Sequence, residues 1–227
     1  MSESQELTDF VPDVNSLGLN TEVLQQIFDA KRGDPNKFQS YWEMDEEDVD
    51  EESMEEIQKH PSKKILWAAE NNKLDVVKEL LNSDSSLTGT KDNDGYTPLH
   101  RASYNGHTDM VMLLLENGAD INATTSDGWC PIHSASRWNQ ADVLSILLQS
   151  GANINAQTNS GQTALHIASS DRECRQCLEL LLWDKNTDTS LKNSLGETAY
   201  DICQRTSENC LLFEMKEDSV NKLTQDT

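Results

Sequence analysis

The chain repeats itself at a step of 33 residues, and this periodicity limits its fold more than any other feature. Shifting the sequence by 33 residues superposes glycines, alanines and histidines on residues of the same kind. The aligned sets are Gly95, Gly128 and Gly161; Ala102, Ala135 and Ala168; and His100, His133 and His166. A repeat of this length is typical of solenoids, in which each unit folds only against its neighbours.

The most regular copy, Asp92 to Ala123, predicts a turn followed by two short antiparallel helices. Asp94-Gly95 is a turn dipeptide in which Gly supplies a positive φ. Thr97-Pro98 opens the first helix, because Pro loses no needed N–H at the first helical position and Thr can cap. Gly106 ends that helix in a left-handed conformation. An apolar stripe that starts at Met110 predicts the second helix.

The residues of this unit resemble the ankyrin repeat. Thr97-Pro98-Leu99-His100 stands at its signature, and Gly118-Ala119-Asp120-Ile121-Asn122-Ala123 stands at its helix-to-turn ending. The resemblance implies an all-α ankyrin-repeat solenoid of about five helix-turn-helix units with degenerate terminal caps. It also implies that the repeated imidazoles hydrogen-bond the Thr hydroxyl and nearby backbone, a bond that Cys130 weakens in the third unit. The implied framework residues are Thr97, Pro98, His100, Gly106, His133, Thr163 and His166.

We place the ankyrin repeat domain at residues 61–217. Its units are residues 62–92, 93–125, 126–158, 159–193 and 194–217. The first unit lacks the signature and the last has Asp201 in place of His, as expected of caps whose outer faces meet water. Asn72 and Asn139 take the place of Gly106, because Asn tolerates the left-handed region. The ending at residues 183–186 has lost the Gly-Ala pair, which predicts the least regular turn. Residues 218–227 form a polar, frayed tail.

Residues 1–60, with 17 acidic and 4 basic residues, predict an acidic and mostly disordered arm. Within it, residues 21–30 place apolar side chains on one helical face. This short helix either binds a partner transiently or folds back on the repeats. Ten of the fourteen residues 43–56 are acidic, so we expect this run to stay extended by charge repulsion. It is either a solubilising tail or an acidic-hydrophobic docking segment.

The composition is strongly acidic, with 40 Asp and Glu against 18 Lys and Arg and a formal net charge of −22. This balance opposes direct binding of nucleic acid, which requires cations to displace counterions from phosphates. It favours a protein partner with a basic patch. The sequence has no charged-then-apolar leader and no apolar run of about 18 residues, so we expect an intracellular protein that binds no membrane. By itself the chain is expected to be a monomer.

The sequence offers few candidates for catalysis or metal binding. The three repeated histidines are expected about one repeat apart, which leaves no convergent set of ligands. Cys174 and Cys177 form a Cys-x-x-Cys pair without a second pair at metal spacing, and we interpret them as incidental cysteines at a helix start. No phosphate loop and no hydrolase nucleophile motif occurs in the sequence. We therefore predict no enzyme, no cofactor and no metal site.

The binding surface implied by the resemblance is a concave groove formed by the turns and the exposed side of each first helix. Tyr, Trp and Arg are over-represented at binding hot spots, and four aromatic residues and one Arg fall in two central units. The alternative is that an aromatic such as Trp129 or Trp138 packs against its neighbouring repeat. The candidate partner-binding residues are Asn93, Asp94, Tyr96, Tyr104, Asn105, Asp127, Trp129, Arg137, Trp138 and Gln162.

By the same resemblance, the expected function is non-enzymatic protein–protein interaction in the nucleus, where the chain regulates gene expression through other proteins. The sequence has no basic cluster of the nuclear-localisation type. The alternative is a cytoplasmic adaptor or a substrate-recruiting subunit of a larger complex. A third hypothesis, an enzyme that uses Cys174, predicts rapid alkylation of that thiol at neutral pH.

Overall fold

Helices alternate with tight turns along the part of the chain that the computed structural model describes, residues 54–215. The α-helices in chain order are α1 (Met54–Lys59), α2 (Pro61–Glu70), α3 (Leu74–Ser83), α4 (Pro98–Asn105), α5 (Thr108–Glu116), α6 (Pro131–Arg137), α7 (Ala141–Gln149), α8 (Ala164–Ser169), α9 (Arg175–Trp183) and α10 (Ala199–Thr206). Short 3-10 helices lie at Ser85–Gly89 and Glu208–Cys210, and residues 211–215 are helical. No strand forms within residues 54–215, so the predicted all-α class is confirmed.

The helices form two layers. The first helices of the units (α2, α4, α6, α8 and α10) pack on one another in order, and so do the second helices α3, α5, α7 and α9. Alanines at one repeated position, among them Ala102, Ala135 and Ala168, are fully buried. Their small side chains let adjacent first helices approach closely. The second helices contribute larger residues to the core, such as Leu114, Leu144 and Leu178, each of which stabilises the stack by about 2 kcal/mol.

The loops between the paired helices adopt the left-handed conformations that the sequence predicts. Gly106 has φ 75°, and the two residues that replace it, Asn72 and Asn139, have φ 54° and 52°. Asn is among the few residues that adopt this region at small cost. The ending of the fourth unit differs from these loops, because Asp184, which follows the last residue of α9, is extended.

The turns that precede the first helices form a row of fingers joined by backbone hydrogen bonds. The N–H of Ser126 donates to the carbonyl of Asp94 at 2.8 Å, and the N–H of Asn159 donates to the carbonyl of Asp127 at 3.0 Å. At the base of the first of these fingers, Gly95 has φ 87°. A Cβ at Gly95 would lie 3.0 Å from the Cα of Thr125. The fingers are therefore held at a fixed spacing by main-chain contacts.

The repeated histidines are structural, as the resemblance implies. The Thr97 hydroxyl lies 2.9 Å from His100 Nδ1 and also accepts from the His100 N–H, which closes a capping box at the start of α4. Thr163 and His166 form the same box, with the hydroxyl 2.8 Å from Nδ1. Each box satisfies N–H groups that a helix start leaves without a partner.

The third unit keeps part of this arrangement. The backbone N–H of Cys130 donates to His133 Nδ1 at 2.9 Å, whereas the Cys130 thiol lies 3.8 Å from the carbonyl oxygen of Asn122. A thiol is a weaker hydrogen-bonding group than a hydroxyl. The start of α6 is therefore held mainly by the backbone and by Pro131 at its first position.

Helix α1 (Met54–Lys59) lies inside the stretch 1–60, which the sequence predicts to be mostly disordered. Lys59 stands in the last turn of α1, where it complements the helix dipole. Ile57 is half-buried. The described residues belong to one compact unit that begins at Ser53. The predicted helix at 21–30, most of the acidic run at 43–56 and the tail at 218–227 lie outside the described residues.

Candidate protein-binding groove

Two exposed aromatic side chains meet at the ends of neighbouring first helices. Tyr104 lies in the last turn of α4, and Trp138 follows the last residue of α6. Their ring centroids are 4.8 Å apart with an interplanar angle of 60°. Tyr104 is nevertheless 44% exposed and Trp138 46% exposed. The contact therefore joins the second and third units without covering either ring.

Arg137 also contacts the Trp138 ring. Its guanidinium carbon lies 5.1 Å from the centroid of the Trp138 ring, within the range of a cation–π contact. The same guanidinium forms an ion pair with Asp171 of the fourth unit at 3.0 Å. The second and third units thus form one surface, which we call the aromatic row: Tyr104, Trp138 and Arg137.

The other two predicted aromatics, Tyr96 and Trp129, are half-buried in the fingers. The Tyr96 ring meets the His100 ring edge-on, with centroids 5.6 Å apart, and Trp129 meets His133 at 6.2 Å. Both therefore pack against the framework of their own unit. Trp138 packs against Tyr104 of the neighbouring repeat, as the alternative expects, and yet both rings stay exposed, so their role in partner binding stays a prediction.

A pocket of about 300 Å³ opens between the first and second units, next to the aromatic row. Its lining residues are Glu70, Asp92, Asp94, Tyr96, His100, Arg101 and Tyr104. Arg101 crosses the pocket and joins the two units, since one terminal nitrogen donates to Glu70 and the other to Asp92, both at 2.7 Å. We call this cavity the Tyr96 pocket.

Burial and nearby carboxylates both act on the Tyr96 hydroxyl. Burial raises the pKa of Tyr96, and the carboxylates of Asp127, Asp92 and Asp94 raise it further, while Arg101 acts in the opposite direction. A phenol whose ionisation is opposed by three carboxylates lies where negative charge is already in excess. Lys91 is close by, but it is exposed and its ammonium donates to the carbonyl of Thr124 at 2.8 Å.

The remaining predicted residues differ in how accessible they are. Asn93, Asp94 and Asp127 are exposed on the fingers, whereas Asn105 and Gln162 are half-buried. The Asn105 amide donates to the carbonyl of Arg101 at 3.1 Å, so it helps to end α4. The structure therefore brings Asp94 and Tyr104 together in the lining of the Tyr96 pocket, and it gives Asn105 a structural role.

Two residues of the candidate surface escaped the prediction, and a third exposed residue, Trp183, lies outside that surface. Arg101 stands at the position of Ser134 and Ile167 in the next units, and this change of residue type was a usable signal. Glu70 aligns with Tyr104 and Arg137, which places it on the same concave side. Trp183, on the second-helix layer, is 60% exposed.

The cysteine pair shows no sign of activation. Cys174 and Cys177 are buried, and their thiols face the carbonyl oxygens of Arg137 at 3.3 Å and Ala135 at 3.7 Å. Burial raises the pKa of both thiols, that of Cys177 to about 12. Among residues 54–215, no group of three or more His, Cys, Asp or Glu is arranged to hold a metal ion.

Comparison with known proteins agrees with this architecture. A family model described as ankyrin repeats (3 copies) matches residues 65–158 and 125–193. The chain belongs to the ankyrin repeat family. Ankyrin repeat domain-containing protein 49 of Bos taurus is 50% identical over 232 aligned residues, which cover 96% of this chain and 98% of the relative. The protein of the same name from Homo sapiens is 53% identical over 201 residues, 84% of each chain.

Likeness within the family extends beyond vertebrates, though over a shorter stretch. Ankyrin repeat domain-containing protein 49 of Drosophila melanogaster is 43% identical over 83 residues, 37% of this chain and 38% of the relative. Membership of the ankyrin repeat family implies protein–protein interaction. In the described part of the chain, every helix is too short or too polar to cross a bilayer.

Proposed function

We propose that this ankyrin repeat chain is a non-enzymatic binding module that holds its protein partner on the aromatic row and the adjoining fingers. The observation that carries the proposal is the contact between Tyr104 and Trp138, which leaves both rings nearly half exposed. A partner that covers them gains the burial of two large apolar surfaces.

The fixed geometry of the row supports this proposal. Trp138 contacts both Tyr104 and Arg137, and Arg137 forms an ion pair with Asp171. Side chains that are ordered before binding lose little conformational entropy when a partner arrives. Tyr, Trp and Arg also dominate the energetics of protein interfaces.

The proposal is tested with Tyr104→Ala and Trp138→Ala, singly and together. We expect the double variant to lose the proteins that crosslink to the intact chain in cell extract, while its helical content by circular dichroism stays unchanged. The matched control is Trp183→Ala, which removes an exposed aromatic from the second-helix layer. Retention of the same crosslinked proteins by the double variant would contradict the proposal.

For the cellular setting, we propose a nuclear role in which the chain regulates gene expression through other proteins. The net charge of −22 supports action through proteins, because it opposes direct contact with DNA. The alternative remains a cytoplasmic adaptor or substrate-recruiting subunit of a larger complex. Microscopy of the tagged chain separates the two: cytoplasmic retention of the tagged protein would contradict the nuclear proposal.

A second experiment assigns partner selection to the arm or to the groove. Proximity labelling with the full chain is compared with labelling by a chain that lacks residues 1–52, which removes the unit before Ser53 and keeps α1. We expect the labelled partners to be the same, because the aromatic row is present in both. If the partners are lost on deletion, residues 1–52 and not the aromatic row select them.

A further inference from the structure

The Tyr96 pocket holds more negative charge than the structure neutralises. Glu70 and Asp92 share the guanidinium of Arg101. Asp94 and Asp127 form no ion pair within residues 54–215, and both act on the Tyr96 hydroxyl electrostatically. Three carboxylates, those of Glu70, Asp92 and Asp94, thus line the cavity with one guanidinium, and Asp127 adds negative charge near Tyr96.

The walls of the pocket are aromatic. Tyr96 and Tyr104 line the cavity, with His100 buried behind Tyr96. The faces of aromatic rings attract cations, and the attraction is stronger where water is partly excluded. A volume of about 300 Å³ is at the lower end for a small-molecule site and suits one long side chain.

From this combination of cavity, aromatic walls and unpaired carboxylates, we infer that the Tyr96 pocket binds an arginine side chain of the partner. The inference deepens the proposed function and rests on it, since the pocket adjoins the aromatic row through Tyr104. Arginine fits better than lysine, because its planar guanidinium stacks on aromatic rings, pairs with carboxylates through two nitrogens and is more weakly hydrated.

The resident Arg101 shows how a guanidinium is accommodated here. Its two terminal nitrogens span from Glu70 to Asp92 with distances of 2.7 Å to each carboxylate. An incoming arginine occupies the free side of the cavity, toward Asp94 and the two tyrosine rings. Asp94 is exposed, and its carboxylate forms no hydrogen bond within the described residues, so it is available to a ligand.

The test is a titration of the ¹⁵N-labelled full chain with three blocked pentapeptides that differ at the central residue: acetyl-Gly-Gly-Arg-Gly-Gly-amide and its citrulline and lysine equivalents. Citrulline has nearly the shape of arginine but no charge. We expect the arginine peptide to shift the amide signals of residues 92–104 and to bind about tenfold more tightly than the citrulline peptide. Equal affinity for arginine and citrulline, no binding of arginine, or tighter binding of lysine would overturn the inference.

Variants locate the site. Asp94→Asn removes one unpaired carboxylate without touching the aromatic row, and we expect it to weaken binding of the arginine peptide several-fold. Glu116→Gln is the matched control, since it removes an equal charge from an exposed position at the end of α5. Equal weakening by both variants would show a general charge effect and overturn the pocket assignment.

The outcome is separable from that of the proposed function. Trp138 is outside the pocket lining, so Trp138→Ala should leave arginine-peptide binding intact while it reduces partner capture. If the arginine peptide fails to bind but Trp138→Ala still loses the partner, the pocket inference is wrong and the aromatic row keeps its function.

Discussion

The Nε2 atom of His100 lies 2.9 Å from the carbonyl oxygen of Trp129, which belongs to the next unit. Because a carbonyl only accepts, Nε2 carries the proton and Nδ1 accepts from Thr97. His166 repeats the contact, to Glu197 of the last unit at 3.1 Å, whereas Nε2 of His133 lies 3.0 Å from the carbonyl oxygen of Ala156, near the end of its own unit. His100 and His166 therefore cap their own helices and also tie their units to the following ones.

The last unit has an aspartate, Asp201, at the position of the repeated histidines. Asp201 replaces His and accepts from both the N–H and the hydroxyl of Thr198, at 2.8 and 2.7 Å. A carboxylate completes the capping box but has no proton to donate to a further unit. Asp201 is thus suited to a terminal cap, where the tie to a following repeat is not required.

The buried histidines make the stability of the fold depend on pH. Burial lowers the pKa of His100 and of His133 to about 4, against an ordinary value of 6.5. Between those values the unfolded chain binds protons that the folded chain excludes, so the stabilising effect is full above pH 6.5 and is lost as pH falls toward 4. Each histidine should reduce the free energy of unfolding by about 1.4 kcal/mol per pH unit in the steep part of this window.

Urea unfolding at pH 7.5, 6.5, 5.5 and 5.0 measures this loss, and NMR titration of the imidazole signals checks its source. The acids Asp171 and Asp201 do not interfere, because their pKa values are lowered from 3.8 and they titrate below this range. Imidazole signals from His100 or His133 that titrate near pH 6.5 in the folded chain would contradict the explanation.

Three serines at one repeated position give a matched test of buried hydroxyls. Ser103 and Ser136 are fully buried, and among the described residues their hydroxyls have no hydrogen-bond partner. The equivalent hydroxyl of Ser169 donates to the carbonyl of Leu165 at 2.7 Å. Because a buried hydroxyl without a partner is unfavourable, Ser103→Ala and Ser136→Ala should each raise the free energy of unfolding by about 1 kcal/mol.

Ser169→Ala should lower the free energy of unfolding by about 1 kcal/mol, because it removes a satisfied hydrogen bond. The urea midpoints of the three single variants, compared with that of the parent chain, measure these changes in stability. A loss of stability in all three would show that the hydroxyls of Ser103 and Ser136 do have partners in solution.

Much of the fold follows from local chemistry that the sequence displays. The 33-residue step gives the number of units, Thr97-Pro98 marks a helix start, and Asn72 and Asn139 mark left-handed loops. All of these depend on residues close together in the chain. The helix α1 was missed because the run of acids before it suggested repulsion, whereas acids at a helix start are stabilising.

The site was less predictable, because its contacts lie about 30 residues apart in the chain. Arg101 pairs with Glu70 across units, and His107 Nε2 lies 2.8 Å from the carbonyl oxygen of Glu70. Neither contact follows from a local pattern. The sequence also did not show which two of the four aromatic side chains are exposed and which two are half-buried. Tyr104 and Trp138 stand at helix ends, and Tyr96 and Trp129 stand beside a framework histidine.

The cysteines should react slowly in the folded chain. Cys130, Cys174, Cys177 and Cys203 are buried, and burial raises the pKa of each thiol. Since the thiolate is the reactive form, iodoacetamide at pH 7.5 should label half-exposed Cys210 first. In denaturant all should react at similar rates. Mass spectrometry of timed samples gives the order, and rapid labelling of Cys174 in the folded chain would revive the hypothesis of a catalytic thiol.

The spacing of the fingers can be tested with two glycines that share a backbone conformation but differ in surroundings. Gly95 has φ 87° and Gly118 has φ 82°. A Cβ at Gly95 would meet the backbone of Thr125 at 3.0 Å, whereas a Cβ at Gly118 would meet nothing within 4 Å. Both Ala substitutions carry the strain of a positive φ, about 1 kcal/mol. The difference between them therefore measures the contact between fingers.

We expect Gly95→Ala to lower the free energy of unfolding by about 1 kcal/mol more than Gly118→Ala, because the Thr125 backbone must move to make room. The same movement displaces Asp94 and Tyr96, which flank Gly95, so Gly95→Ala should also weaken partner binding in the crosslinking assay. Gly118→Ala should leave partner binding unchanged, since that residue ends a second helix on the other layer. If the two variants have equal stability and equal partner binding, the contact between Gly95 and the Thr125 backbone does not fix the spacing of the fingers.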